Sequence, residues 1–204
     1  MHMGEAETVK EEDEHEFLGV EWEVEVRDKD GNITDSKKGK NSLLNGMAYE
    51  LLWGFNQAVT DYPYDITNAQ VLPTWYGVAS SCGMDINGAA GDVVHGIMIG
   101  TNNTAVVATD YKMGTLIANG IGAGQMQYLI TTCNAVVNAS PRSNLRVDRV
   151  FTNGSPGAIT VKELGMYVLI SAAKTICICR DVIADTAVAA GSSLFVKYTI
   201  YITI

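Results

Sequence analysis

Leu194-Phe-Val-Lys-Tyr-Thr-Ile-Tyr-Ile-Thr-Ile204 carries β-branched or aromatic residues at nearly every position. Such side chains pack well on a pleated surface, so the segment predicts a long strand behind the turn residues Gly191-Ser-Ser193. Earlier segments of the final third repeat the pattern of extended runs between turns, at Leu145–Phe151, Ile159–Val161, Leu164–Ile170 and Lys174–Arg180. The final third therefore predicts an antiparallel meander.

A second strand pattern stands near the start of the chain. Residues 17–27 alternate, with valines and Trp22 on one face and three glutamates on the other. Asp28-Lys-Asp-Gly-Asn32 follows, and Asp-Gly between extended segments indicates a hairpin because glycine supplies the positive φ of the turn. Residues 93–100 and 125–133 add two further strand candidates.

One helix is predicted near residues 42–55. Ser42 can cap its N-terminus, and apolar residues then recur every three or four positions, at Leu43, Leu44, Met47, Ala48, Leu51, Leu52 and Phe55. Residues 56–91 carry mixed signals and are interpreted as a loop-rich insertion. The whole pattern predicts a mainly β chain, with one antiparallel β-sandwich or jelly-roll-like domain over residues 17–204.

The acidic residues are concentrated at the start of the chain. The net charge is −9, and residues 1–16 hold seven carboxylates against one lysine, a net of −6, which leaves −3 for the rest. Residues 1–16 therefore predict a disordered, flexible acidic arm, either a solubilising terminus or an arm that docks on a neighbouring subunit. An acidic chain without a basic patch is a poor candidate for direct binding of nucleic acid.

The rest of the composition points to partner proteins rather than to a membrane or a metal. Charged residues make up 18% of the chain, below the roughly 25% of soluble domains, which favours a surface partly covered by a partner. The four cysteines, Cys82, Cys133, Cys177 and Cys179, lack metal-ligand spacing and are expected to be buried thiols, so no metal and no cofactor is predicted. Neither a signal peptide nor a membrane helix is recognisable, and a reducing cytoplasm is the expected compartment.

Residues with catalytic chemistry are sparse. His95 is the single histidine outside the acidic arm and lies in an apolar run, which favours a structural role over a general base. No GxSxG, HExxH or P-loop sequence occurs, and Gly120–Gly124 lacks the GxGxxG spacing of a dinucleotide site. The chain is predicted not to be an enzyme. A glycosidase pair among the scattered carboxylates remains an alternative, because sequence spacing does not determine spatial separation.

Two isolated charges stand out in the final third. Glu163 and Arg180 are each flanked by apolar strand residues. A partly buried ion pair or a contact between subunits would explain both. The alternative is that they are two unrelated charges at solvent-facing strand ends.

The order of several short motifs resembles virion structural proteins of tailed bacteriophages, of the head-decoration, neck or tail-fibre kind. The chain shows V-x-D-x-D-G-N at residues 26–32, K-N-x-L-x-N at 40–45, G-x-x-I-G-T-x-x-T-A at 96–105 and T-D-x-x-M at 109–113. It continues with F-x-N-G-S-x-x-x-I-T-V-x-E-L-G-M-Y at 151–167, R-D-V at 180–182 and G-x-x-L-x-V-x-Y-T-I-x-I at 191–202.

This resemblance implies a β-sandwich subunit without catalytic residues. Its expected partners are further copies of itself, in a homo-oligomer, and other virion proteins, so that the protein would be assembled in the host cytoplasm and reside in the virion. An alternative function is a carbohydrate- or receptor-binding module on the virion surface. The aromatic residues of the insertion, Tyr62, Tyr64, Trp75 and Tyr76, would then form its binding platform.

Overall fold

The computed structural model describes residues 18–41, 43–48, 63–71, 84–171 and 174–203. Within these ranges the chain is mainly β and the only helical turn spans residues 45–48, which confirms the predicted class. Nine strands follow in order: β1 Leu18–Arg27, β2 Ile33–Asn41, β3 Gly96–Gly100, β4 Gln127–Cys133, β5 Val137–Ala139, β6 Arg142–Thr152, β7 Ile159–Ser171, β8 Lys174–Val188 and β9 Ser193–Thr203.

The larger sheet has six strands in the order β2-β1-β9-β6-β4, with β5 also paired to β6. The predicted opening hairpin is present, since β1 and β2 pair antiparallel around a turn in which Gly31 has a φ of 87°. Asp28 Oδ1 accepts the N–H groups of Asp30 and Asn32 at 2.9 Å, which closes the turn. The C-terminal strand β9 lies at the centre, between β1 and β6.

The smaller sheet has three strands in the order β3-β7-β8, all antiparallel. Side chains from both sheets share one hydrophobic core, with Ile97, Met166 and Cys179 from the smaller sheet and Val147 and Tyr198 from the larger. Two antiparallel sheets around a common core are consistent with a β-sandwich.

The strands differ from the predicted ones mainly in length. The two segments predicted at 159–161 and 164–170 form the single strand β7, because a bulge between Val161 and Glu163 lets the pairing with β8 continue. The strand predicted from residue 93 begins only at Gly96, because Asp92 Oδ1 accepts the N–H groups of Val94 and His95 and holds that stretch in a turn.

The predicted helix, insertion and arm are described only in part. The helical residues begin at 45 and not at 42, because Leu43 forms a bridge with Cys179 and Leu44 N donates to Ile178 O, which holds the chain extended beside β8. Residue 42, residues 49–55 and the acidic arm at residues 1–16 lie outside the described ranges. Of the insertion at 56–91, residues 63–71 and 84–91 are described. They form the isolated bridges Tyr64–Gln70 and Asp85–Leu169 and further backbone hydrogen bonds, such as that from Gly91 N to Tyr128 O. Among the described helical residues, none belongs to a helix long and apolar enough to cross a membrane.

The two edges of the six-stranded sheet differ in chemistry. The edge strand β2 carries Lys38 and Lys40 exposed and directs Lys37 inward, where its ammonium bonds Thr186 Oγ1 at 2.9 Å. Lysines on an edge strand oppose pairing with another chain. The other edge, built from β4 and β5, has no charged residue, and Leu129, Ile130 and Val137 are exposed there.

Candidate functional site

The structure brings Glu163 and Arg180 together in a buried ion pair. Glu163 on β7 and Arg180 on β8 are 0% and 3% exposed, and Arg180 Nε lies 2.5 Å from Glu163 Oε1. Arg180 also binds Asp110 Oδ2 at 2.7 Å. Burial acts to lower the pKa of Arg180, but hydrogen bonds to the two carboxylates outweigh it and raise that pKa, so the guanidinium remains charged.

The ion pair holds the loop that leaves β3. Glu163 accepts the N–H groups of Gly114 at 2.8 Å and Thr115 at 3.3 Å, while Arg180 donates to the carbonyl of Thr104 at 2.9 Å. The position of the Glu163 carboxylate requires a glycine in β3, because a Cβ at Gly100 would lie 2.7 Å from Glu163 Oε2. The pair therefore fastens residues 101–116 to the smaller sheet within one chain, and its polar groups are engaged in that task.

On the opposite face of β8, Asp181 joins the two sheets. Tyr198 Oη and Asn41 Nδ2 both donate to Asp181 Oδ2 at 2.7 Å, and the side chain of Trp22 is a further donor. Asp181 is 6% exposed. Burial raises the pKa of Asp181 to about 7, although these donors act to lower it. This role of Asp181 was not predicted from the sequence, although the residue has the same strand phase as the buried Cys179.

The free energy of unfolding is expected to fall as the pH rises from about 4 to about 7. Folded Asp181 keeps its proton up to a pKa of about 7, whereas an unfolded aspartate loses it near pH 4, so the folded chain binds more protons in this window. The slope from this group is at most about 1.4 kcal/mol per pH unit. Denaturant unfolding at pH 5 and pH 8 measures it.

The variant Asp181→Asn isolates the contribution of Asp181, because asparagine cannot titrate. Its free energy of unfolding should change less between pH 5 and pH 8 than that of the wild type. The carboxyls with lowered pKa values, such as Asp65 and Glu23, act on stability only below about pH 4.5 and do not interfere. Equal slopes for the variant and the wild type would show that Asp181 is ionised throughout the range.

A second buried cation, Arg149 on β6, is 1% exposed. Its guanidinium donates to four backbone carbonyls at 2.8 to 2.9 Å, those of Leu129, Ala89, Asp92 and Ile97. It also lies 4.9 Å from the centre of the Tyr128 ring. Arg149 thus ties the segment 89–97 to the larger sheet. The alternation of residues 145–151 could have revealed it, because Arg149 shares the phase of Val147 and Phe151.

The remaining candidate nucleophiles and bases are the described cysteines and His95, and their environments indicate structural roles. Burial raises the pKa of the Cys177 thiol to about 12, and it raises that of Cys179 as well, so neither is a thiolate at neutral pH. Cys133 is half-buried, and burial raises its pKa too. His95 Nδ1 lies 3.0 Å from Asp92 Oδ2 in the turn before β3. Within the described ranges, no three potential ligands cluster in a way that could hold a metal ion.

One of the four aromatic residues proposed as a binding platform is described. Tyr64 is 45% exposed and belongs to the turn at 63–71. That turn is organised by Asp65, whose carboxylate accepts the N–H groups of Thr67 and Ala69 and pairs with Lys174 at 2.9 Å. Burial opposes ionisation of Asp65, but the hydrogen bonds outweigh it and lower its pKa to about 2. Tyr62, Trp75 and Tyr76 lie outside the described residues.

The most distinctive surface is the uncharged edge, which we define as residues 129–141 of β4, β5 and the turns that follow them. It belongs to a longer run, residues 113–141, that contains no Asp, Glu, Lys, Arg or His. Leu129, Ile130, Val136 and Val137 are exposed by 41%, 62%, 57% and 60%. Large exposed apolar patches mark contact surfaces in soluble proteins, so these side chains make the edge a candidate contact surface. The uncharged edge was not predicted from the sequence, although its lack of charged residues is visible there.

The uncharged edge and the buried networks are therefore the features on which a function can be based. Comparison of the chain with protein-family models, with curated proteins and with solved structures found no match.

Proposed function

We propose that this protein is a non-enzymatic structural subunit of a bacteriophage virion, a capsid decoration or cement protein or a neck or tail component, that forms a homo-oligomer and contacts other virion proteins. The virion assignment depends on the motif order described above. The assembly role is supported first by the exposed apolar side chains, which are concentrated in one part of the chain. Of the fourteen large hydrophobic residues exposed in the described ranges, ten fall between residues 93 and 137.

The distribution of charge supports the same role. The exposed face of the larger sheet carries alternating charges, for example Glu23 on β1 beside Lys197 on β9, and Lys197 opposite Asp148 on β6. Such a face is well solvated. The region 93–137, in contrast, gains free energy when a neighbouring protein covers it. The polar networks around Glu163, Asp181 and Arg149 hold the fold together and use their donors and acceptors internally.

The finer features of the fold belong to this proposal. The sandwich is jelly-roll-like, and the acidic arm at 1–16 reaches an adjacent subunit, in a particle assembled in the host cytoplasm. The alternative, a carbohydrate- or receptor-binding module, would use Tyr64, which is exposed.

The mass of the purified chain in solution, measured by light scattering, tests the assembly role. We expect a defined oligomer larger than the 21.9 kDa monomer, and the same oligomer after deletion of residues 1–16, because the apolar surface lies in the β domain. A monomer in both forms at all accessible concentrations would contradict self-assembly. Loss of the oligomer only on deletion would show that the arm, rather than the β domain, carries the contact.

A further inference from the structure

We infer that the uncharged edge pairs with the same edge of a second copy of this chain, so that two β5 strands meet antiparallel about a two-fold axis near Asn138. This inference rests on the proposed assembly role and specifies the surface that carries it. The resulting dimer would join two six-stranded sheets into one continuous sheet across the axis.

The backbone of β5 is available for such pairing. Val137–Ala139 pairs with β6 on one side, and within the described ranges no other backbone hydrogen bond involves these residues. All three residues are exposed. The neighbouring strand β4 differs, because its outer side is already used where Tyr128 O accepts Gly91 N and Thr131 N donates to Gly88 O, both at 2.8 Å. The free part of the edge is thus confined to β5.

The absence of charge at this edge favours a second copy of the chain as the partner. Two copies that each carry −9 repel one another, and a two-fold interface brings identical residues close together. Residues 113–141 are free of charge, so this surface can meet itself without opposing like charges. A strongly basic partner would instead be expected at a face with exposed carboxylates.

The other edge of the same sheet provides the contrast. On β2, a two-fold axis at Gly39 would place the exposed Lys38 opposite Lys40 of the second copy, and the inward Lys37 is engaged with Asp185 O and Thr186. The lysines thus protect the edge at β2 against pairing, whereas the edge at β5 lacks such protection.

Antiparallel pairing of a three-residue strand with itself has its largest overlap when the middle residue lies on the axis. Asn138 then faces Asn138 of the second copy, with Val137 opposite Ala139. A charge introduced at residue 138 would meet the same charge, while opposite charges on two copies would attract.

The test uses the full chain and the two variants Asn138→Lys and Asn138→Glu. We expect each variant alone to have a dimer dissociation constant at least about tenfold higher than the wild type, and an equimolar mixture of the two to recover the dimer mass by light scattering. Recovery on mixing cannot result from misfolding, and circular dichroism of each variant checks the fold. Ser36→Lys and Ser36→Glu, at an exposed site on β2, are the matched controls and should leave the mass unchanged.

The outcomes separate this inference from the proposed function. A wild-type oligomer whose mass is unchanged in both Asn138 variants would overturn the interface and leave the assembly role in place. Variants that dissociate but do not recover on mixing would overturn the two-fold pairing at Asn138. A wild-type chain that is monomeric at all concentrations would overturn both the interface and the assembly role.

Discussion

Replacement of Arg149 by methionine is expected to lower the free energy of unfolding by about 3 to 4 kcal/mol. The guanidinium is the donor for the carbonyls of Leu129, Ala89, Asp92 and Ile97, at 2.8 to 2.9 Å. A buried carbonyl without a partner costs about 1 to 3 kcal/mol, and the methionine offsets part of the total because no cation has to be desolvated. Denaturant unfolding at pH 7 measures the difference.

Arg146→Met is the matched control, because Arg146 lies on the same strand and its side chain is 54% exposed beside Asp148. An exposed pair of this kind contributes about 0 to 1 kcal/mol, so the control should remain close to the wild type. If Arg149→Met were as stable as Arg146→Met, the carbonyls of segment 89–97 would have other donors available, and Arg149 would not be needed to hold that segment.

The fold class was predictable because its signals are local. Alternation in residues 17–27 and 145–151, together with turn residues such as Gly31, depends only on neighbours in the chain, and β1, β6 and β9 appear close to the predicted positions. The division into sheets was not predictable in the same way. Placement of β9 between β1 and β6 depends on pairings between residues far apart in sequence, such as Leu18 with Ile202 and Arg142 with Thr203, which leave no local pattern.

The buried networks show the same limit. Glu163 and Arg180 were recognisable as isolated charges among apolar residues, and an ion pair was one of the interpretations that the sequence allowed. Their actual use, holding residues 101–116 through Gly114 and Thr104, requires knowledge of where the loop returns to the sheet. Asp181 could be assigned to a face by its phase, but its donor Tyr198 comes from the other sheet.

The uncharged edge illustrates a signal that is visible in the sequence but needs the structure for its meaning. The absence of charge over residues 113–141 is compatible with a buried segment as well as with an exposed contact surface. The structure distinguishes the two, because Met126 and Tyr128 are buried while Ile130 and Val137 are exposed.

Replacement of Glu163 by alanine is expected to lower the free energy of unfolding by about 3 to 5 kcal/mol, the range for removing one partner of a buried ion pair. Arg180 would keep Asp110 as its only carboxylate within the described residues, and the N–H groups of Gly114 and Thr115 would lose their acceptor. Glu25→Ala is the control, since Glu25 pairs with Arg27 at a half-exposed site where the pair contributes about 0 to 1 kcal/mol.

Hydrogen exchange distinguishes a general loss of stability from release of the loop. If the ion pair holds residues 101–116 to the smaller sheet, Glu163→Ala should increase the exchange rates of the Gly114 and Thr115 amides over the wild type. The increase should be larger than that for amides of β9, such as that of Val196. Glu163→Gln keeps an oxygen that can accept one of the two N–H groups and should give an intermediate result. Equal acceleration at all these amides would show that Glu163 stabilises the whole domain without a specific effect on the loop.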